Sequence, residues 1–289
     1  MNTSYSTAYK SEKWETALLQ DYNAALQNWP VPYKETLIET PAAKTHILLC
    51  GDPAGPPLLL FHGTGNNSLM WKYNVEGLGR RFRLYLIDTP NDPGKSAAGP
   101  AFKPPEGYTQ WMRELLNELK LEKVALTGHS KGGWLALNTA VQMPEKIGKL
   151  VLLAPAAGLI SKLNAEFIRK SMKVGLFPTA KNVTEFMQYM SGSGRTVNAK
   201  YAEYLERLIK GTRTKPVAHR EFTDGELQGI ESPVLLLFGE HERSLDFSKA
   251  IARAQANIKN LTSVTVEGVG HALQGEKPEE INKLILDFI

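Results

Sequence analysis

A chain of 289 residues, 42% hydrophobic and 22% charged, can bury a large core without staples, and α/β architectures often reach this length as one unit. Its single cysteine excludes an internal disulfide, and a net charge of +4 is too small to imply nucleic acid as a partner. No apolar run approaches the roughly 18 residues needed to cross a bilayer, and residues 1–10 hold no apolar core of a signal peptide, so the expectation is a cytoplasmic protein.

After a polar start, residues 12–27 carry helical patterning that Pro30 ends. Apolar or β-branched runs then read as strands at 36–39, 46–50, 58–62, 83–87, 123–127, 149–153, 234–238 and 263–266. Cys50 closes the second run and is expected to be a buried, inert thiol. Continuous apolar character at 58–61 and 234–238 suits strands covered on both faces, as in a parallel sheet. Helical patterns separate the later runs, at 108–120, 133–143, 248–258 and 278–289. Adjacent early strands followed by β–α alternation imply a mostly parallel, doubly wound sheet of about eight strands that opens with a hairpin.

One interval breaks the rhythm. Between Ala157 and Glu231 only helical patterning appears, with apolar positions at Phe167, Met172, Leu176, Phe177, Phe186, Met190, Tyr204 and Leu208 and a turn at Gly192-Ser193-Gly194. The expected organisation is a core of residues 1–158 and 226–289, with 1–32 a partly helical extension, and a helical cap at 159–225 inserted after the sixth strand. The apolar residues of the cap should mainly form its own core, a minority facing substrate. Residues 161–225 hold twelve Lys and Arg against six Asp and Glu. Such an excess reads as a solvated basic surface, or alternatively as a bias toward anionic substrates.

Chemistry concentrates at Gly128-His129-Ser130-Lys131-Gly132-Gly133, which a strand enters and a helix leaves. A sharp strand-to-helix turn exposes the serine hydroxyl at the sheet's C-terminal edge, beside the N–H groups of a helix N-terminus. A serine hydroxyl needs a base to accept its proton. Of six histidines, His271 lies just past the last strand, on a loop at the same edge. His129 should point elsewhere from the serine turn, and His62 should order a loop; His46 falls in a strand, His219 in the cap region and His241 beside the acid. The third member must orient the imidazole, and the segment after 234–238 offers Glu240, Glu242 and Asp246. Position favours Glu242, while Asp246 also fits as a helix cap. The backbone N–H groups of Thr64, after Gly63, and of Lys131 are the expected oxyanion donors, so side-chain identity at both should be loosely required.

The order His62-Gly63, Ser68 and Trp71, Asp88, the Ser130 motif, Gly239-Glu240-His241-Glu242 and Gly270-His271 resembles the α/β-hydrolase superfamily from about residue 33 onward. Phe222-Thr223-Asp224, with Glu226-Leu227, further resembles a group of small bacterial carboxylesterases. The resemblance implies the α/β-hydrolase fold, a cap between the sixth and seventh strands, and cleavage of a small-molecule carboxylic ester with neither metal nor organic cofactor. Two departures stand out. Glu242 occupies a position where most members carry Asp, and the loop from Asp88 to Ser96 is longer and less glycine-rich than the usual pattern. Its Gly94-Lys95-Ser96 is not a phosphate loop, because position 89 is threonine where that motif requires glycine. Ser130 excludes the aspartate-nucleophile dehalogenases and epoxide hydrolases of this fold. Carbon–carbon bond hydrolases, thioesterases, aminopeptidases and perhydrolases share the triad and remain alternatives. A non-catalytic ligand receptor is the alternative of another class, against which a complete triad argues.

Overall fold

A computed structural model describes residues 5–213 and 220–289; His219 and parts of both the N-terminal extension and the cap region lie outside the described residues. The strands in chain order are β1 (Tyr33–Glu39), β2 (Ala43–Gly51), β3 (Pro57–Phe61), β4 (Arg83–Ile87), β5 (Ala97–Ala98), β6 (Val124–His129), β7 (Ile147–Leu153), β8 (Val234–Gly239) and β9 (Leu261–Val266). They form one sheet in the order β1-β2-β4-β3-β6-β7-β8-β9, with the two-residue β5 added against β2. From β4 through β9 every neighbouring pair is parallel; β2 runs antiparallel to both β1 and β4.

Burial explains which strands were easy to read. Every residue of β6 and β8 is buried, and their sequences are accordingly continuous apolar or small-residue runs. The edge strand β1 is exposed or half-buried throughout, so its polar start at Tyr33 gave no apolar signal and its reading began three residues late. β5 was missed because two alanines carry no period.

The sheet's strand order reverses at β3: the chain goes outward to β4, then returns to β6 on the other side. Loops leaving β3 and β6 therefore diverge and open a crevice at the C-terminal edge. Helix Lys131–Gln142 packs across β3, β6 and β7 and is buried along most of its length. The rings of Phe61, Trp111, Tyr108, Trp134 of this helix and Phe222 form a chain of contacts with centroids 6.2–6.3 Å apart. Phe222 is held by the start of helix Asp224–Gln228, where Thr223 and Glu226 make a reciprocal capping box, and by Arg253, which donates to the Phe222 carbonyl at 2.6 Å and to Asp224 at 2.8 Å. The segment that resembles the carboxylesterase group is thus a clamp on the core.

Between β7 and β8 lie helices Ala165–Leu176, Ala180–Met190 and Ala199–Gly211. Val174, Val183 and Ala202 form a small core among them, flanked by Phe186, Met187 and Leu205. Leu208 instead packs with Tyr9 and Leu18 of the N-terminal extension, whose helix spans Glu12–Leu26. The expectation that the apolar residues here are mainly interior fails at Met172, Leu176 and Phe177, which are exposed. Helix Ala165–Leu176 is covered where Phe167 meets Phe186 at 5.8 Å, while its Ile168, Met172 and Leu176 are exposed. Among the described residues, no helix is long and apolar enough to cross a membrane.

Candidate active site

Ser130 follows β6 with φ +53° and ψ −116°, a strained conformation for a residue bearing a Cβ. The turn is pinned by its own backbone: Ser130 N–H donates to Leu153 O at 2.9 Å, and Ser130 O accepts from Trp134 N–H and Ala156 N–H. Its glycines are steric requirements. A Cβ at Gly128 would stand 2.0 Å from Gly132 O, and one at Gly132 would stand 2.3 Å from Phe61 O. Only bare backbone lets the helix start press against the end of β3.

His271 sits on the loop after β9, and Glu242 on the loop after β8. Imidazole Nδ1 lies 2.6 Å from Glu242 Oε2, while Glu242 Oε1 accepts from Ser244 N–H at 2.6 Å. The carboxylate side chain is fully buried. Burial by itself would raise the Glu242 pKa, but the His271 charge and the bonds from His271 and Ser244 outweigh it and hold the group down at about 2. Burial would likewise lower the pKa of His271, and the Glu242 carboxylate outweighs it, raising the imidazole above 6.5. Asp246 is elsewhere: it accepts from Lys249 N–H at 3.2 Å as the N-cap of helix Phe247–Asn257. Glu240 accepts from Gly268 N–H at 2.9 Å on the surface.

The Ser130 hydroxyl makes no hydrogen bond among the described residues. What ties its turn to the His271 loop is His129, whose side chain does not point away as expected. Its Nε2 donates to His271 O at 2.9 Å, and the two rings meet edge to face at 4.8 Å. Burial lowers the pKa of His129 to about 3, so this ring is neutral. A second tie comes from helix Ala180–Met190, where Met190 O accepts the His271 N–H at 2.8 Å.

On the opposite side, Thr64 and Gly65 follow β3. Neither the Thr64 nor the Lys131 backbone N–H donates to a protein acceptor among the described residues. The Lys131 side chain overturns the expectation that its identity is loosely required. It is 2% exposed, paired with the fully buried Asp92 and set over the Tyr108 ring at 5.0 Å. Asp92 in turn accepts from Thr89 Oγ1 at 2.7 Å and from Gly65 N–H at 2.8 Å. Burial would neutralise both ions; each outweighs it for the other, lowering the pKa of Asp92 below its usual 3.8 and raising that of Lys131 above 10.5. His62 donates from Nδ1 to Gly63 O at 2.8 Å and accepts Thr89 N–H on Nε2 at 3.0 Å, with burial keeping it neutral. Asp92 was missed in the sequence; the unusual length of its loop was the available signal.

The remaining residues have structural partners. His46 bridges Asp88 and Glu35 at 2.9 Å each, and Ser68 Oγ donates to Asp88 at 2.7 Å. His241 lies near Glu240 on the surface. Cys50 is buried, its thiol pushed up to about 12 by burial. Helix Ala199–Gly211 reaches the loop beyond Gly65 through Tyr201 and Tyr204, whose hydroxyls accept from Asn66 and Asn67 at 3.0 and 2.9 Å.

A strained serine turn, a buried carboxylate–imidazole pair and two backbone N–H groups without a protein acceptor among the described residues thus lie at the switch point of a mostly parallel α/β sheet. The profile of the Alpha/beta hydrolase family matches residues 58–284, and the chain belongs to that family. Carboxylesterase YbfK of Bacillus subtilis is similar to it, at 29% identity over 93% of this chain and 92% of its own. The crystal structure of that protein (also named CesB) gives a TM-score of 0.87 with 28% identity, covering 96% of this chain and 98% of that one. The crystal structure of naproxen esterase (carboxylesterase NP) from Bacillus subtilis gives 0.88 with 26% identity, covering 96% and 99%.

Proposed function

We propose that this protein is a carboxylic ester hydrolase acting through Ser130, His271 and Glu242. The observation that carries the reading is the 2.6 Å bond between His271 and a buried, ionised Glu242, on loops beside the strained Ser130 turn. With Nδ1–H donated to Glu242, the lone pair of imidazole is on Nε2, the tautomer a general base needs. Hydrogen bonds at such sites often tighten only once substrate is bound, so a free hydroxyl on Ser130 suits a resting enzyme.

Ser130 Oγ attacks the ester carbonyl carbon as its proton passes to His271 Nε2. The carbonyl π pair moves to oxygen, where the Thr64 and Lys131 N–H groups receive the oxyanion. Collapse expels the alkoxide, which takes the proton from His271, and leaves Ser130 acylated. Water then attacks the acyl carbon with His271 again as base, releasing the acid and restoring the serine. Residues 159–225 act as a cap over a small-molecule ester: their helices contact both the loop after Gly65 and the His271 loop.

Exchanging this segment for another hydrolase's cap should change acyl-chain preference in a panel of aryl esters. Ser130→Ala should lower kcat by several orders of magnitude in a folded protein and abolish covalent labelling by a fluorophosphonate. A variant that kept most of its aryl-ester turnover would end the serine reading.

A further inference from the structure

One of the two places where the chain departs from the family pattern meets the serine turn in the interior: the long loop after β4 supplies Asp92, and the turn after β6 supplies Lys131. The pair is fully buried on both sides. Its connections lead directly to the two free backbone donors. Lys131 carries one of them on its own N–H; Asp92 Oδ1 holds the N–H of Gly65, the residue next to Thr64, which carries the other. No atom lies within 4 Å of a Cβ added at Gly65, whose φ is +68°, so side-chain packing does not hold this residue. Its N–H is held by the Asp92 carboxylate beside the Asn66 N–H that donates to Gly63 O at 3.3 Å, and Thr89 Oγ1 holds the carboxylate.

We infer that Lys131 and Asp92 are positioning residues that hold the Thr64 and Lys131 N–H groups as one rigid pair of donors for the oxyanion. This inference rests on the Ser130 reading above. An ion pair that only supported the fold would affect stability without selecting one transition state over another. A positioning pair acts where negative charge develops on the carbonyl oxygen, and therefore on kcat rather than KM. It also acts on oxygen in particular: a thiono ester (C=S) develops its charge on a larger, softer atom that accepts weaker hydrogen bonds and does not fit donors spaced for oxygen.

The full chain should be assayed with 4-nitrophenyl acetate and its thiono counterpart. Three variants serve: Lys131→Met with Asp92→Leu, Thr89→Val alone, and Ser130→Ala. The double variant should fold, because apolar residues of similar volume commonly replace a buried ion pair at no cost. Its kcat on the oxo ester should fall about 10²–10³-fold, the loss expected for one misplaced donor, with KM nearly unchanged and the thiono rate far less affected. Thr89→Val keeps both ions and loses the hydroxyl's contacts with Asp92 at 2.7 Å and with His62 Nε2 at 3.2 Å, so it tests the same link without removing a buried charge. There the oxo-to-thiono ratio should fall about three- to tenfold. Wild-type discrimination in the folded variants, or equal losses on both esters, overturns the positioning role alone. An active Ser130→Ala overturns the serine reading and this inference together.

Discussion

Two buried carboxylates flank the site, and they are built alike. Glu242 and Asp92 each give one oxygen to a basic side chain and the other to a loop N–H, of Ser244 and Gly65 respectively. They differ in what the partner can do. His271, its pKa raised from 6.5 by the Glu242 carboxylate, must become a cation during the proposed reaction, whereas Lys131 is held as a cation throughout. They differ also in reach: Glu242 grips its own loop two residues on, while Asp92 grips a loop 27 residues away. In the proposed reaction one pair moves a proton, and in the inference above the other keeps two loops still.

Removing Glu242 should give the largest effect on chemistry. In Glu242→Gln the amide can donate to Nδ1, favouring the tautomer whose Nε2 carries a proton and cannot act as base. The expected loss is on the order of 10⁴ in kcat, with the fold retained because a neutral imidazole tolerates burial. Steady-state kinetics alongside an unfolding curve check both halves, and a modest loss of activity would make the pair a structural one.

Removing Lys131 alone should also act on stability. Lys131→Met leaves Asp92 ionised and unpaired at zero exposure, at an expected cost of about 3–5 kcal/mol. Adding Asp92→Leu should recover most of it. Urea unfolding of the two variants tests this contrast, and equal stability would mean that water already reaches Asp92.

Half of this design was legible in the sequence. Glu242 stands three residues past Gly239, where a strand that could be read delivers its loop to the sheet edge; Ser130 and His271 were marked by the same logic of strand ends. The central strands were readable because both faces are buried, and a one-residue error there would place polar groups in the core. Asp92 gave no such sign. It lies in a turn-rich stretch with Asp88, and no local period says that both aspartates turn inward or which of them meets Lys131. Lysine is ordinarily a surface residue, so Lys131 looked incidental. The two are 39 positions apart, and only the fold brings them together. The exposed Met172, Leu176 and Phe177 failed for a related reason: helical patterning shows that a face is apolar, but not whether anything covers it.

The pH profile separates the two carboxylates again. Protonated His271 cannot accept the serine proton, so kcat/KM should fall on the acid side with an apparent pKa displaced upward from 6.5 by the Glu242 carboxylate. Burial keeps His62 and His129 neutral above that range, while Asp92 and Lys131 stay ionised between 3.8 and 10.5. The acid limb should therefore fit a single ionisation; a two-proton limb would show that a second group on the oxyanion side titrates. Stability follows another window. The folded pKa of Glu242 is lowered from 4.5 to about 2, so its contribution is complete above 4.5 and is lost as pH falls toward 2.

The smallest expected effect belongs to Asp246, four residues beyond Glu242 and the natural rival for its role. The two carboxylates share a loop but not an environment. Glu242 has no exposed side-chain surface, whereas Asp246 is 43% exposed and pairs with Lys249, itself 78% exposed. An ion pair so open to solvent contributes about 0–1 kcal/mol. The firmer contribution of Asp246 is the 3.2 Å bond that caps helix Phe247–Asn257. Asp246→Ala should therefore cost about 1 kcal/mol, seen as a lower urea midpoint at constant slope, and leave kcat within about twofold of wild type. The acid limb of kcat/KM should also stay where it was, since Asp246 does not touch His271. A loss in kcat comparable with that of Glu242→Gln would mean that the loop rearranges on substrate binding and hands His271 to Asp246.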